Sequence, residues 1–272
     1  MVEIFGFYAH NVDMTGDRPG AQMLHRAAAV LRVVSGEPET GLGTGDVADS
    51  ANLSRSTAHR ILSALEEEGL VDYDAGVGRW FLGPELYVLG EIAGTWFDIT
   101  SHARRVLRQV AHHTGESAFL SVRRGNETVC LIREEGSFPL RSFVLSEGVR
   151  FPLGVASAGL AILAFLPEDT VSAYLATSTL EEKWGEQHSA VNIRQRLALT
   201  RQRGYSLNPG LIVEGSWGMG AAVFSPSGDP VWAISITGVD SRFPPERVSE
   251  LGKILLDAAH QLSSAVRQQT SP

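Results

Sequence analysis

The chain has one cysteine, Cys130, and only two lysines, Lys183 and Lys253, in 272 residues. A single cysteine excludes an internal disulfide and suits a reducing cytoplasm. It stands in TVCLI, a strand-like run that reads as a place for a buried structural thiol. The longest near-continuous apolar run, Val155 to Leu166, is too short to span a bilayer. The first seventeen residues contain no Lys or Arg, so the basic start of a signal peptide is missing and no membrane partner is expected. The eight histidines show neither H-x-x-x-H nor Cys/His spacing, so no metal site and no cofactor is expected. Gly41-Leu-Gly43-Thr-Gly45 and Gly215-Ser-Trp-Gly218-Met-Gly220 do not join strand to helix at phosphate-loop spacing.

What is present suits about two ordinary globular domains: 43% hydrophobic and 20% charged residues. A net charge of −8 argues against nucleic-acid binding over the whole surface. It leaves room for a local basic face, and residues 54–60 hold Arg55, His59 and Arg60 with no acid.

Thr44 to Leu82, TGDVADSANLSRSTAHRILSALEEEGLVDYDAGVGRWFL, predicts a helix, a turn, a second helix and a two-stranded wing. The first helix covers Thr44 to Ser50, Ala51-Asn52-Leu53 turns the chain, and Ser54 caps the second helix with its hydroxyl. Ala58, Ile61, Leu62 and Leu65 form the buried stripe of that second helix, and Gly69 closes it. Val71–Tyr73 and Arg79–Leu82 are the wing strands. On a wheel of about 100° per residue, Ser56, His59, Arg60 and Ser63 point away from the stripe, flanked by Arg55 and Thr57. Hydroxyls, a histidine and arginines suit base edges and phosphates. The acidic run Glu66-Glu67-Glu68 would repel phosphate, so the amino-terminal half must enter the major groove. The DNA-contacting candidates are Ser54, Arg55, Ser56, Thr57, His59, Arg60 and, near the wing tip, Arg79.

Domain boundaries follow from the breaks. Residues 1–19 read as a loose arm, 20–83 as a winged helix-turn-helix domain, 84–99 as a linker helix, and 100–268 as a second domain. A helix from Ala21 carries Leu24, Ala27, Ala28, Leu31 and Val34 at helical spacing, and the linker pattern places Leu86, Leu89, Ile92 and Ala93 on one side. Further strands are expected at Ser117–Arg123, Thr128–Glu134, Leu140–Leu145, Met219–Phe224 and Val231–Thr237. Helices are expected at Thr100–Thr114, Ala156–Leu166, Val171–Ala176, Val191–Gly204 and Pro245–Val266. Hairpins interrupted by long helices predict an α+β domain with a mainly antiparallel sheet.

These residues resemble the isocitrate lyase regulator (IclR) family of bacterial transcription factors. LSRSTAHRILSALEEEGLV and GRWFLGPELYVLG carry the likeness in the first domain. FPLGVASAGLAILAFLPED, RGYSLNPG and GMGAAVFSPSGDPVWAISITG carry it in the second. The resemblance covers about residues 20–266. It implies a winged helix-turn-helix, a linker helix and a GAF- or profilin-like effector domain. It also implies a homodimer or a dimer of dimers, an inverted-repeat operator in double-stranded DNA, and a small organic-acid effector.

The family's ligand pattern falls on Ser157, Ala158, Asn208, Gly218, Ser235 and Thr237. The small residues before and at the start of the 156–166 helix suit a carboxylate at backbone N–H groups. Ser235 and Thr237, two apart on a strand, face the same way. Gly218 stands where the family commonly has Cys, Asn208 where it has an acid, and Gly154 and Leu160 where it has His and Lys. Trp217 and Met219 beside Gly218 are expected either to enlarge the pocket for an aromatic or longer acid or to pack in a core or dimer interface. The reading is therefore an effector-responsive DNA-binding transcription factor and not an enzyme; the alternative is a factor that has lost its effector. A serine hydrolase using Ser157, with Asp240 and His260, is a distant third, because Val155-Ala-Ser157-Ala-Gly159 lacks the first glycine of G-x-S-x-G.

Overall fold

The computed structural model describes residues 19–94, 99–140 and 142–269. Of the expected arm over 1–19, only Pro19 lies inside that range, as the first residue of a helix; Trp96 and the end of the expected linker helix lie outside it. The chain forms two compact units that divide between Phe97 and Asp98.

The first unit contains α1 (Pro19–Val34), α2 (Thr44–Ser50), α3 (Arg55–Glu67), β1 (Val71–Asp74), β2 (Arg79–Leu82) and α4 (Pro84–Gly94). Its core gathers Val30, Val34, Val47, Ile61, Leu62, Leu65, Val71 and Trp80. The aliphatic stripe expected on α3 is the one observed, with Ala58, Ile61, Leu62 and Leu65 buried. Leu24 is 73% exposed, and α1 reaches the core through Val30 and Val34. Two helix ends share one device. Asn52 (φ 53°) and Gly69 (φ 67°) adopt left-handed backbone. The following N–H groups, of Leu53 and Leu70, return to the carbonyls of Ala48 and Leu65 at 2.9 Å each. The turn between α2 and α3 is thereby fixed by Asn52, whose side chain tolerates this conformation better than most.

The approach through Gly41 to Gly45 is more ordered than its glycines suggest. Leu42 and Trp80 exchange backbone hydrogen bonds at 3.1 and 2.8 Å, adding a third short strand segment to the wing. Any side chain at Gly41 would meet the Phe81 ring at 2.6 Å, so this glycine serves close packing.

The second unit opens with α5 (Ile99–Thr114) and builds one six-stranded antiparallel sheet. Its strands are β3 (Ser117–Arg124), β4 (Glu127–Glu134), β5 (Arg150–Pro152), β6 (Tyr205–Pro209), β7 (Ser216–Phe224) and β8 (Pro230–Val239), in spatial order β5-β4-β3-β8-β7-β6. The helices α6 (Ser157–Ala164), α7 (Glu168–Thr177), α8 (Leu180–Trp184), α9 (Ala190–Arg203) and α10 (Pro245–Gln269) complete it. Strand alternation sends residues to two cores. Ala118, Leu120, Met219, Ala221, Ile234 and Ile236 pack with α5 and α10. Phe119, Cys130 and Ala233 pack with α6, α7 and α9 on the other face.

Leu140–Leu145 forms no strand among its described residues. Leu140 and Phe143 are 63% and 77% exposed, so no packed face holds them in a sheet. The β4 edge is instead taken by the following residues: Cys130 N–H bonds to the Val149 carbonyl at 2.9 Å, and β5 pairs beyond it. Strand β6 went unseen because its inward positions are polar, Ser206 and Asn208, and the usual apolar alternation is missing.

Cys130 is buried, as its strand-like context implied, and burial pushes its thiol up to about 12. Iodoacetamide should therefore leave it intact at neutral pH and label it only in denaturant; rapid labelling of native protein would contradict this burial. The folded value lies above the ordinary 9.0, so the thiol's contribution to stability is complete below about pH 9 and declines as pH rises toward 12.

Candidate nucleic-acid interface and ligand cavity

The amino end of α3 is built by its own hydroxyls. Ser54 lies in extended backbone, and its Oγ accepts the Thr57 N–H at 3.2 Å. The same Oγ lies 2.8 Å from Thr57 Oγ1 and 3.1 Å from Ser56 Oγ. Ser54, Arg55, Ser56, His59 and Arg60 are exposed and Thr57 is half-buried. With Thr44, three of them (Arg55, Ser56 and His59) line a shallow open depression. No acid stands in the first turn of α3, whereas Glu66, Glu67 and Glu68 are exposed at its far end. The helix thus presents a neutral-to-positive amino end, reinforced by its dipole, and an acidic carboxyl end.

Arg79 is placed differently from the rest. Its guanidinium donates to the Gly41 carbonyl at 2.9 Å and so ties the wing to the segment before α2. The wing turn itself offers an acid: Asp74 Oδ1 accepts the Gly76 and Val77 N–H groups at 2.7 and 3.3 Å. Residues 19–94 carry five arginines and no lysine against eleven carboxylates, so the positive face is confined to a few positions, Arg55 and Arg60 foremost.

In the second unit one cavity brings together all six expected effector residues: Ser157, Ala158, Asn208, Gly218, Ser235 and Thr237. The start of α6 forms its upper wall, and no side chain caps that helix end. The helix approaches the sheet because β7 offers glycines there. A Cβ at Gly220 would lie 2.9 Å from the Ser157 carbonyl oxygen, and one at Gly218 would lie 3.0 Å from Ser157 Oγ. Ser206, which sequence reasoning missed, donates to the Ser157 carbonyl at 2.7 Å and pins the helix down.

Asn208 is already committed to backbone. Its Nδ2 donates to the Val155 carbonyl at 2.6 Å and its Oδ1 accepts the Leu211 N–H at 3.2 Å. Ser235 and Thr237 are the opposite case: both hydroxyls are buried and have no hydrogen-bond partner. An unspent buried hydroxyl is destabilising by about 1–3 kcal/mol, which a ligand oxygen would relieve.

Trp217 borders the cavity, but its ring stacks on Phe243 at 5.7 Å, and Met219 is fully buried in the α5–α10 core. Neither enlarges the pocket, so of the two expectations the core one holds. The cavity offers about 30 Å³ of open space, enough for a water or two, and a carboxylic acid of several carbons requires the lining side chains to give way. Ser157 and His260 belong to helices on opposite faces of the sheet, with His260 exposed, so the hydrolase constellation is not assembled.

Comparison with known proteins supplies the context. The family described as IclR helix-turn-helix domain matches residues 23–75, and that described as bacterial transcriptional regulator IclR C-terminal matches residues 94–264. The chain is 27% identical over 246 residues to the transcriptional repressor IclR of Escherichia coli, covering 90% of this chain and 89% of that one. It is 29% identical over 251 residues to the transcriptional repressor AllR of Klebsiella pneumoniae, covering 91% and 90%. In structure it is similar to an IclR transcriptional regulator from Alicyclobacillus acidocaldarius, at 26% identity and a TM-score of 0.77, covering 90% of this chain and 98% of that one.

Proposed function

This chain belongs to the IclR family of bacterial transcriptional regulators, and we propose that it represses its targets as a homodimer whose α3 helices read the two halves of an inverted-repeat operator. The observation that carries this reading is the exposed, hydroxyl-capped amino end of α3, bearing Arg55, His59 and Arg60 over an aliphatic back. Repression is proposed by likeness to relatives that bear that name. Dimerisation is supported by α4, where Tyr87, Val88 and Leu89 are 72%, 47% and 48% exposed. Apolar groups of that size along one short helix favour burial against a second copy. Two recognition helices would then engage major grooves about 34 Å apart.

Effector control is assigned to the cavity between α6 and the sheet. A small organic acid would place its carboxylate at the α6 amino end, with Ser235 and Thr237 donating to it. The chain passes from the reading unit to the ligand unit through α4, which makes this helix the element whose arrangement both sites bias. A typical coupling of about 1–3 kcal/mol would change operator affinity about 5–150-fold. The proposed place of action is the cytoplasm; no helix among the described residues is long and apolar enough to cross a membrane.

Footprinting on DNA flanking the gene, with and without small carboxylic acids, tests the whole reading. A sharper test addresses charge. If Arg55 and Arg60 of two protomers each neutralise one phosphate, operator affinity should fall with log salt at a slope of about −3 to −4. Arg60→Ala should then weaken the operator about tenfold and make the slope shallower by about two. Ser56→Ala should cost less and alter sequence preference. Parent-like binding by both variants would mean that α3 does not enter the groove this way round.

A further inference from the structure

We propose that the α6 cavity selects an effector with a single anionic group and rejects one with two. The proposal rests on the effector reading above and deepens it by naming the ligand's charge class. None of the described residues lining the cavity is ionisable. Part of the polar lining converges at one place. Gly218 pairs with Thr237 across β7 and β8, and Ser157 Oγ stands where a Cβ on Gly218 would meet it. The Ser157 hydroxyl, the uncapped first turn of α6 and the Thr237 hydroxyl therefore face one locus. Next to it Ser235 is wholly buried and its hydroxyl is unspent. Ser117, the cross-strand partner of Thr237 on β3, also holds a buried hydroxyl without a partner. These groups are donors without net charge, which suits one carboxylate and further uncharged oxygens.

The rest of the wall mixes apolar Val144, Leu145, Phe151 and Ile212 with the neutral hydroxyls of Ser121, Thr128 and Ser216, and none of these described residues brings a cation. A second carboxylate there would lose water without gaining a counter-charge, and burial of an unpaired ion costs far more than a hydroxyl can return. Uncharged tails, aliphatic or aromatic, meet no such penalty. The selectivity is thus set by what the far wall lacks rather than by a stronger grip at α6.

Calorimetric titration of the full-length protein with acids of matched length provides the test. The pairs are hexanoate against adipate, and 4-methylbenzoate against terephthalate. The monoanion of at least one pair should bind, and its dianion should bind at least about a hundredfold more weakly. Thr237→Val should weaken the monoanion about tenfold. Ile212 is half-buried, so Ile212→Lys can keep its charge near water. This variant should raise dianion affinity at least about tenfold more than it raises that of the monoanion. A dianion that binds the parent as tightly as its partner overturns the proposal while leaving the effector reading intact. If no acid of either pair binds, the effector reading falls and the proposal falls with it.

Discussion

Glu116→Ala should be the most damaging side-chain truncation in the second unit, costing about 3 kcal/mol. The carboxylate is 1% exposed, and its Oε1 accepts from Arg242 Nε and Arg247 Nη1 at 2.9 Å each. Both guanidiniums also donate to the Thr114 carbonyl, at the carboxyl end of α5. Arg242 lies over the Phe138 ring, 4.3 Å from its centroid. One buried acid thereby joins the end of α5, the start of β3, the turn after β8 and the first turn of α10. Removing one member of a buried pair costs about 3–5 kcal/mol, because the remaining charge is left without compensation. The arginine side chains are 30% and 21% exposed, so water recovers part of that, and the lower end of the range applies. For a unit of this size about 3 kcal/mol corresponds to a loss of roughly 6–12 °C in Tm.

The measurement is thermal unfolding of Glu116→Ala, of Arg247→Met and of the double variant. If the ion cluster acts as described, the double variant should be less damaged than the two single losses added together, since neither leaves the other's charge stranded. Strict additivity would mean that Glu116 and Arg247 contribute independently, and the account of a shared cluster would be wrong. Gly238 adds a constraint: a Cβ there would come within 2.3 Å of Glu116 Oε2, so the strand leaves room for the acid.

This cluster shows where reading the sequence ends. Glu116 stands in Thr114-Gly-Glu116-Ser117, an unremarked turn, and its partners lie 126 and 131 residues away. No local period or motif connects them. Helix α3 is the opposite case. Its cap, its aliphatic stripe and its exposed face depend on spacing within thirteen residues, and the structure bears each of them out. The cavity falls between these extremes. Family resemblance brought the six candidates to one place, yet residues alone could not show that Asn208 is spent on Val155 and Leu211 while Ser235 and Thr237 are not. Nor could they show on which face Trp217 and Met219 lie, because register across β7 and β8 decides it. The missed strand β6 follows from the same cause: polar residues face inward there because a helix start, not an aliphatic core, covers them.

Gly83→Ala should abolish operator binding while leaving the second unit folded. The chain leaving the wing passes against the end of α3 at this residue. A Cβ at Gly83 would lie 2.1 Å from the Gly69 carbonyl oxygen and 2.9 Å from the Val71 nitrogen, and both are backbone atoms. They cannot yield cheaply. Gly69 holds the left-handed turn that ends α3, its carbonyl accepts the Glu85 N–H at 3.2 Å, and Gly83 itself donates to Leu70 at 3.0 Å. Relieving the clash breaks these bonds together and tilts α3, whose aliphatic back sets its groove-facing side. The expected cost is about 3 kcal/mol or more. A unit of this length has only about 4–11 kcal/mol in all. Gly90→Ala, on α4 with nothing within 4 Å, provides the contrast and should stabilise by about 0.5–1 kcal/mol. Differential unfolding of the two variants, read alongside operator binding and acid binding, separates the outcomes. Loss of operator binding with acid binding retained is the expected pattern for Gly83→Ala. Behaviour like that of Gly90→Ala would show that the wing exit does not cross α3 as closely as this structure has it, and the orientation of the reading helix would lose its support.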